Sequence, residues 1–190
     1  MNYLVLVNKQ NKIDDSFYGE LKLIETNDAL DRTIQIEKET YNAYFKLKSF
    51  LETVGIYILI DSCYRNLDEQ QKILDDSIRI EGIEHASMYV APVGYSEHHT
   101  GLAVDLALVV DGKKIVDDGV IDLFEYDDIF KQIHKYLSEY GFILRYPEGK
   151  EKITGYGYEP WHIRYVKDPE IASYITENNL TLEEYLELRK

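Results

Sequence analysis

A hairpin pattern in the middle of the chain constrains the fold more than any other feature of the sequence. Residues 102–110 read LAVDLALVV, an apolar run typical of a strand, and Asp111-Gly112 are the residue types of a tight turn. Residues 113–117, KKIVD, are then expected to return antiparallel to that run. A hairpin with so short a connection requires antiparallel pairing, so the rest of the chain has to pack around an antiparallel sheet.

Helical patterns occur on both sides of the hairpin. An apolar stripe over residues 36–54 predicts a helix that ends at Gly55, and a stripe over residues 123–140 predicts another that ends at Gly141. Further helices are predicted by capping signals. These signals are Asn66 with Glu69 before a helix over Leu67–Ile80, Asp168-Pro169 before a short helix, and Thr181 with Glu184 before a final one.

Short apolar runs complete the predicted sheet. They are IYILID at 56–61, FILRY at 142–146 and WHIRYV at 161–166. Residues 81–95 have no clear period and are interpreted as a long loop, and TLEEYLELRK at the end is interpreted as an acidic, solvated helix. We therefore expect one α+β domain over residues 1–190, with a central antiparallel β-sheet flanked by helices and the functional site on the sheet.

Charge and cysteine content exclude several classes of function. The formal net charge of −14 disfavours nucleic acid as a partner, because the chain would be repelled by phosphates. Cys63 is the single cysteine of the sequence, which rules out an internal disulfide and a thiol-rich zinc site. A metal would therefore need histidine and carboxylate ligands.

The beginning of the sequence carries no targeting signal. Its apolar run, Tyr3–Val7, has five residues, whereas a signal peptide needs about 7–15 and a membrane span about 20. We expect a cytoplasmic protein without membrane insertion, and no obligatory protein partner is evident.

Two polar clusters place histidines beside carboxylates. In SEHHTGLAVD, residues 96–105, His98 and Asp105 are seven positions apart, and Gly101 lets the backbone bend from a loop into the strand. In EPWHIRY, residues 159–165, Glu159 precedes His162 by three positions, and the following proline keeps Glu159 out of the helical region. The second cluster is therefore predicted to be an extended turn rather than a helical metal motif.

If the two clusters meet, His98, Asp105 and His162 supply two nitrogen ligands and one oxygen ligand for zinc and leave a fourth position for water. Glu159 could accept a proton from that zinc-bound water and pass it to a leaving amine, which is peptide hydrolysis. Spacing alone leaves an alternative open, in which the histidines are structural and Glu159 is a surface carboxylate.

The motifs resemble those of the VanY-type D-alanyl-D-alanine carboxypeptidases, in the group of zinc peptidases that includes lysostaphin and the hedgehog domain. The similar segments are S-x-H-x-x-G-x-A-x-D at 96–105, EPWH at 159–162, SCYRNLDEQ at 62–70 and GFILRYPEGKEKITGYGYEPWHIRYV at 141–166. Together they extend over roughly residues 56–166, and LVLVNKQNKI near the start is also similar to the opening segment of the family.

The resemblance implies one zinc ion on His98, Asp105 and His162, with Glu159 as the catalytic base. It also implies that Arg65 engages the substrate and stabilises charge on the carbonyl oxygen. The residues that it implies line the substrate pocket are Gln70, Ser96, Tyr146 and Trp161.

The sequence departs from the family pattern in the segment before Arg65. Cys63 stands where the family usually has glycine and Asn66 where serine is common, although neither change removes a chemical group. The remaining histidines, His85, His99 and His134, are assigned no role, and Cys63 is predicted to be a packed small side chain.

The resemblance implies hydrolysis of the D-Ala-D-Ala bond of peptidoglycan-precursor peptides, as a D,D-carboxypeptidase or D,D-dipeptidase. Overall length and several segments are most similar to the cytoplasmic VanXY-type bifunctional enzymes of glycopeptide antibiotic resistance. Alternatives are an L,D-carboxypeptidase acting on tetrapeptides and a phage-lysin-like endopeptidase. A zinc-containing binding module without turnover is an alternative of a different class.

Overall fold

Strands and helices follow one another along the chain in the order that the apolar patterns predict. The structure is a computed structural model that describes residues 1–117 and 122–190. Its strands are β1 (Leu23–Asn27), β2 (Thr33–Glu37), β3 (Ile58–Ser62), β4 (Ala103–Val110), β5 (Lys113–Ile115), β6 (Phe142–Leu144) and β7 (His162–Tyr165). Its α-helices are α1 (Asp15–Tyr18), α2 (Lys38–Thr53), α3 (Leu67–Glu81), α4 (Ile83–Tyr89), α5 (Asp127–His134), α6 (Glu151–Thr154), α7 (Pro169–Glu177) and α8 (Leu182–Glu187).

The larger sheet is antiparallel throughout. Its strand order is β3-β4-β7-β6, with β5 paired to β4, and β1 with β2 forms a separate two-stranded sheet. The main core packs α2 and α5 against this sheet, through buried side chains such as Leu51, Leu106 and Phe130. A second buried cluster joins β6 to α7 and α8. The predicted α+β fold, an antiparallel sheet flanked by helices, is confirmed.

Local turn and cap signals predicted this architecture well. Asp111 and Gly112 both have positive φ, 50° and 74°, as the tight hairpin turn between β4 and β5 requires. Asn66 and Thr181 both form the predicted capping boxes, and Asp168 caps α7. In the part of the chain that the structure describes, none of the helices combines the length and the apolar character needed to cross a membrane.

Several elements differ from the predictions, among them the short helices α1 and α6, which were not predicted. The supposed loop at 81–95 contains α4, whose position depends on distant contacts: the amide of Gly157 donates to the carbonyl of Met88 at 3.2 Å. The predicted helix over 123–140 is divided, since 3-10 turns at Leu123–Tyr126 and Ser138–Tyr140 flank α5. The hairpin of β1 and β2 was not predicted at all.

The C-terminal helix is also less solvated than its acidic sequence suggests. Leu182 and Tyr185 are buried in the second core cluster. The carboxylate of Glu183 accepts hydrogen bonds from the buried Arg145 at 2.7 and 2.9 Å. The prediction of a solvated face was wrong for this side of α8, because the charged partner lies 38 residues away in the sequence.

Gly101 connects the turn that carries His98 to β4, and its backbone requires glycine. Its φ is +66°, and a Cβ there would lie 3.1 Å from the Cβ and 3.2 Å from the amide nitrogen of Glu37. Gly112 has a similar φ of +74° but faces open space. Both glycines therefore have a backbone conformation that disfavours a side chain, but only at Gly101 would a Cβ also crowd its neighbours.

We expect Gly101→Ala to destabilise the protein more than Gly112→Ala does. The left-handed conformation costs a residue with a Cβ about 1–2 kcal/mol at either site, and crowding against Glu37 adds about 1–3 kcal/mol at position 101 alone. Urea denaturation of both variants measures the difference in the free energy of unfolding. If both variants lose the same free energy of unfolding, Glu37 moves aside without an energetic cost.

Candidate active site

The register of β4 and β7 brings the two predicted clusters together. Asp105 in β4 lies directly opposite His162, the first residue of β7. Directly opposed residues of antiparallel strands project from the same face of a sheet. Nδ1 of His162 lies 2.9 Å from Oδ1 of Asp105 as a result.

His98 reaches the same carboxylate from a 3-10 turn, Glu97–Thr100, in the segment that the sequence analysis described as a loop before the strand. The hydroxyl of Ser96 caps this turn by accepting from the amide of His98 at 3.3 Å. Nδ1 of His98 bonds to the carbonyl oxygen of Cys63 at 2.5 Å, so this nitrogen carries the proton. Nε2 therefore carries no proton, and its lone pair is free to bind a metal. It lies 3.1 Å from Oδ2 of Asp105.

These three side chains form a buried group with the geometry of a metal site. One potential ligand atom from each of His98, Asp105 and His162 lies within 4.8 Å of the others. Oδ1 of Asp105 is buried and has no hydrogen-bond partner among the described residues. Two nitrogens and a carboxylate oxygen suit Zn²⁺ and leave room for a fourth ligand, so the residues fit the predicted metal.

Glu159 lies beside this group. Its amide donates to the carbonyl of Tyr146 and its own carbonyl accepts from the amide of His162, both at 3.2 Å, which makes the predicted turn. Oε2 lies 3.7 Å from Nδ1 of His162, and Oε1 has no hydrogen-bond partner among the described residues. Burial raises the pKa of Glu159 to about 8, although His162 acts in the opposite direction.

Arg65 extends across the opposite side of Asp105. Its Nη2 donates to Oδ2 of Asp105 at 2.7 Å and its Nε donates to the hydroxyl of Ser62 at 2.8 Å. His99 fixes the backbone here, because its Nδ1 bonds to the carbonyl of Arg65 at 2.8 Å while its Nε2 accepts from Gly94. His99 is thus outside the metal group, as predicted, and has a structural function that the sequence did not reveal.

An open cleft of about 530 Å³ leads to the group. Every residue that the sequence proposed for the site lines it, including Gln70, Ser96, Tyr146 and Trp161. Tyr146 also packs on the ring of His162, with centroids 4.6 Å apart. Lining residues that the sequence analysis missed include Tyr89, Phe124 and Tyr156. Tyr89 was missed because α4 was interpreted as loop.

The most consequential residue that was missed is Glu97. It is fully buried, and its Oε1 accepts from Arg145 at 2.7 Å and from Arg164 at 2.6 Å. Burial opposes the charge of Glu97, yet the two guanidinium groups hold its pKa below the ordinary value. A glutamate between the motif residues Ser96 and His98 was the available signal, but its partners are distant in sequence.

The other two histidines lie outside the metal group. His85 pairs with Glu81 at 2.8 Å on the far wall of the cleft, and both side chains are largely exposed. Nε2 of His134 bonds to the carbonyl of Pro160 at 2.8 Å.

Comparison with known proteins identifies the family. Residues 33–168 match the family model VanY, described as D-alanyl-D-alanine carboxypeptidase. This chain belongs to the VanY family. The resemblance drawn from the motifs is confirmed.

Similar proteins include enzymes of two specificities. The bifunctional D-Ala-D-Ala dipeptidase and D-Ala-D-Ala carboxypeptidase VanXYC of Enterococcus gallinarum is 35% identical over 97% of this chain and 94% of its own length. The D,D-pentapeptidase VanY from a VanB-type resistance cassette, solved with Zn(II), is 29% identical, with a TM-score of 0.78 over 98% of this chain and 99% of that one. The LD-carboxypeptidase LdcB is 35% identical, with a TM-score of 0.79 over 98% of this chain and 86% of that one.

Cys63, one of the two departures from the VanY pattern, is not among the residues that line the cleft. Its side chain is buried, and Sγ donates to the carbonyl of Gln35 at 2.6 Å. Burial raises the pKa of the thiol to about 12. The predicted role as a packed side chain agrees with this environment.

We expect the Cys63 thiol to resist alkylation in the native protein. A pKa near 12 reduces the thiolate fraction at pH 8 by more than about 1,000-fold relative to a free cysteine of pKa about 8.5. Iodoacetamide labelling followed by mass spectrometry should therefore modify the protein in guanidinium chloride and leave the native protein unmodified. Rapid stoichiometric labelling of the native protein would contradict the buried placement.

Proposed function

We propose that the chain is a zinc-dependent D,D-peptidase that hydrolyses the D-Ala-D-Ala bond of peptidoglycan-precursor peptides. The observation that carries the proposal is the buried group of His98, Asp105 and His162, with the carboxylate of Glu159 next to it at the base of an open cleft. VanXYC acts on D-Ala-D-Ala, and its similarity extends over nearly the whole of both chains. We extend the proposed peptidase domain to all 190 residues, because α8 packs with β6 in the second buried cluster.

Zinc is the metal that we propose for this group, held by Nε2 of His98, a carboxylate oxygen of Asp105 and Nδ1 of His162. The unpartnered Oδ1 of Asp105 and the Zn(II) of the VanY relative support this assignment. Bound zinc acts as a Lewis acid and lowers the pKa of a water ligand from about 15.7 to about 7.

Glu159 is the group that we propose moves the proton. Its carboxylate lies 3.7 Å from Nδ1 of the proposed ligand His162, so it is placed to accept a proton from water and return it to the leaving amine. The backbone bonds to Tyr146 and His162 hold the carboxylate beside the ligand group. Its unpartnered Oε1 is available to a water molecule or to the substrate.

We propose that Arg65 stabilises negative charge on the substrate. Its side chain is 19% exposed at the cleft, although one nitrogen bonds to Asp105. A guanidinium group can donate to a substrate oxygen as well as to Asp105, because it carries five N–H groups in a fixed plane. The proposed pocket wall is built by Gln70, Ser96, Tyr146 and Trp161.

We expect Glu159→Gln to lower kcat by about 10²–10⁴-fold, the usual contribution of a general acid–base group. Zinc content should stay at one ion per chain, because Glu159 is not one of the proposed ligands. The assay is release of D-alanine from D-Ala-D-Ala and from muramyl-pentapeptide, with and without a chelator.

The matched control for this variant is Glu139→Gln, which removes an exposed carboxylate outside the cleft. Its activity should equal that of the unchanged protein. If the unchanged protein binds zinc yet hydrolyses nothing faster than Glu159→Gln does, the chain is a binding module rather than an enzyme.

Substrate preference separates the remaining candidates. An L,D-carboxypeptidase is the second candidate, because LdcB is as similar to this chain as VanXYC is. We expect D-alanine release from dipeptide and pentapeptide and little from muramyl-tetrapeptide. Release from tetrapeptide alone would assign the L,D activity, and cleavage within peptides whose C-terminal carboxylate is blocked would assign an endopeptidase.

A cytoplasmic location and the absence of nucleic-acid and obligatory protein partners stay predictions of the sequence. Cell fractionation with an antibody against the chain tests the location.

A further inference from the structure

Two buried polar atoms face each other behind the proposed metal ligands. Nε2 of His162 and Oε2 of Glu97 are 3.6 Å apart, and neither has a hydrogen-bond partner among the described residues. His162 is 4% exposed and the Glu97 side chain is fully buried. Unpaired buried polar atoms are costly, and a movement of about 0.6 Å would bring this pair to the usual N–H···O length.

We propose that Glu97 is a positioning residue for His162: its Oε2 accepts a hydrogen bond from Nε2–H and thereby directs the lone pair of Nδ1 toward the zinc. The inference rests on the metal site of the proposed function. In this arrangement the two histidines bind zinc through different ring nitrogens, His98 through Nε2 and His162 through Nδ1.

The surroundings of His162 support this assignment. Nδ1 is the nitrogen that faces the proposed ligand Asp105, at 2.9 Å, and it also lies 3.7 Å from the carboxylate of Glu159. A ring with its lone pair on Nδ1 must carry its proton on Nε2. Tyr146 packs against the ring face and limits its rotation.

Glu97 is itself held in place on its other side. Its Oε1 accepts from the fully buried guanidinium groups of Arg145 and Arg164, so the carboxylate stays charged and cannot rotate without breaking both bonds. A fixed anion behind a histidine ligand orients the ring and makes the coordinating nitrogen more basic. His98 has a neutral carbonyl, that of Cys63, in the equivalent position.

The variant Glu97→Gln tests the proposal because an amide cannot satisfy both sides. If the amide oxygen keeps the bonds from Arg145 and Arg164, the NH₂ group faces Nε2 of His162 and favours the tautomer with its proton on Nδ1. That tautomer cannot bind zinc through Nδ1. We expect the zinc Kd, measured by competition with a chromophoric chelator, to rise about 10–100-fold.

The control is Glu183→Gln, which removes a carboxylate from the other side of the same buried arginine without a contact to His162. Its zinc Kd should equal that of the unchanged protein, and circular dichroism of each metal-free variant establishes that it is folded. If Glu97→Gln is folded and its zinc Kd is unchanged, the proposal is wrong. It is also wrong if the zinc Kd of Glu183→Gln rises as much as that of Glu97→Gln. Absence of zinc binding by the unchanged protein would instead refute the proposed metal site itself.

A second measurement needs no variant at Glu97. In ¹⁵N-labelled zinc-loaded protein, the histidine side-chain spectrum should show His162 protonated at Nε2 and metal-bound at Nδ1, with its signals assigned by their loss in His162→Asn. Protonation at Nδ1 with zinc on Nε2 would overturn the proposal even if Glu97→Gln does not fold.

Discussion

The pairing of β4 with β7 is the constraint on which the site depends. It places Asp105 opposite His162 and so brings together two sequence clusters that are otherwise far apart. A shift of one residue in this register would turn one of the two side chains to the other face of the sheet. The neighbouring pairs of these two strands, Val104 with Ile163 and Ala103 with Arg164, bury their side chains and so oppose such a shift.

Two arginine side chains buried near this strand pair have carboxylate partners from distant parts of the chain. Arg145 and Arg164 are fully buried, and isolated buried charges are strongly unfavourable unless they are paired and hydrogen-bonded. Glu97, in the 3-10 turn that precedes β4, pairs with both arginines, and Glu183 of α8 supplies a second carboxylate to Arg145. Helix α8 thus completes a cluster of two buried arginines and two glutamates. Glu97 of this cluster lies 3.6 Å from the proposed ligand His162.

The sequence predicted those features that are determined within a few residues. Capping boxes at Asn66 and Thr181 and the turn at Asp111-Gly112 depend on near neighbours, and all three were predicted correctly. The motifs also predicted that His98, Asp105 and His162 lie together, and the structure groups these three side chains. Helix α4 was missed because its own residues give it no side-chain cap. The Glu97 group was missed because its arginines lie 48 and 67 residues away.

The group of proposed ligands and the far wall of the cleft differ in burial and in what holds them in place. The proposed ligands and Glu159 are buried and fixed by the sheet, by the Cys63 carbonyl or by backbone bonds. The far wall instead comes from α3 and α4, where Glu81 and His85 are largely exposed. Residues on that wall can change without disturbing the ligand register. The grouping of His98, Asp105 and His162 therefore does not depend on which side chains form the α3–α4 wall.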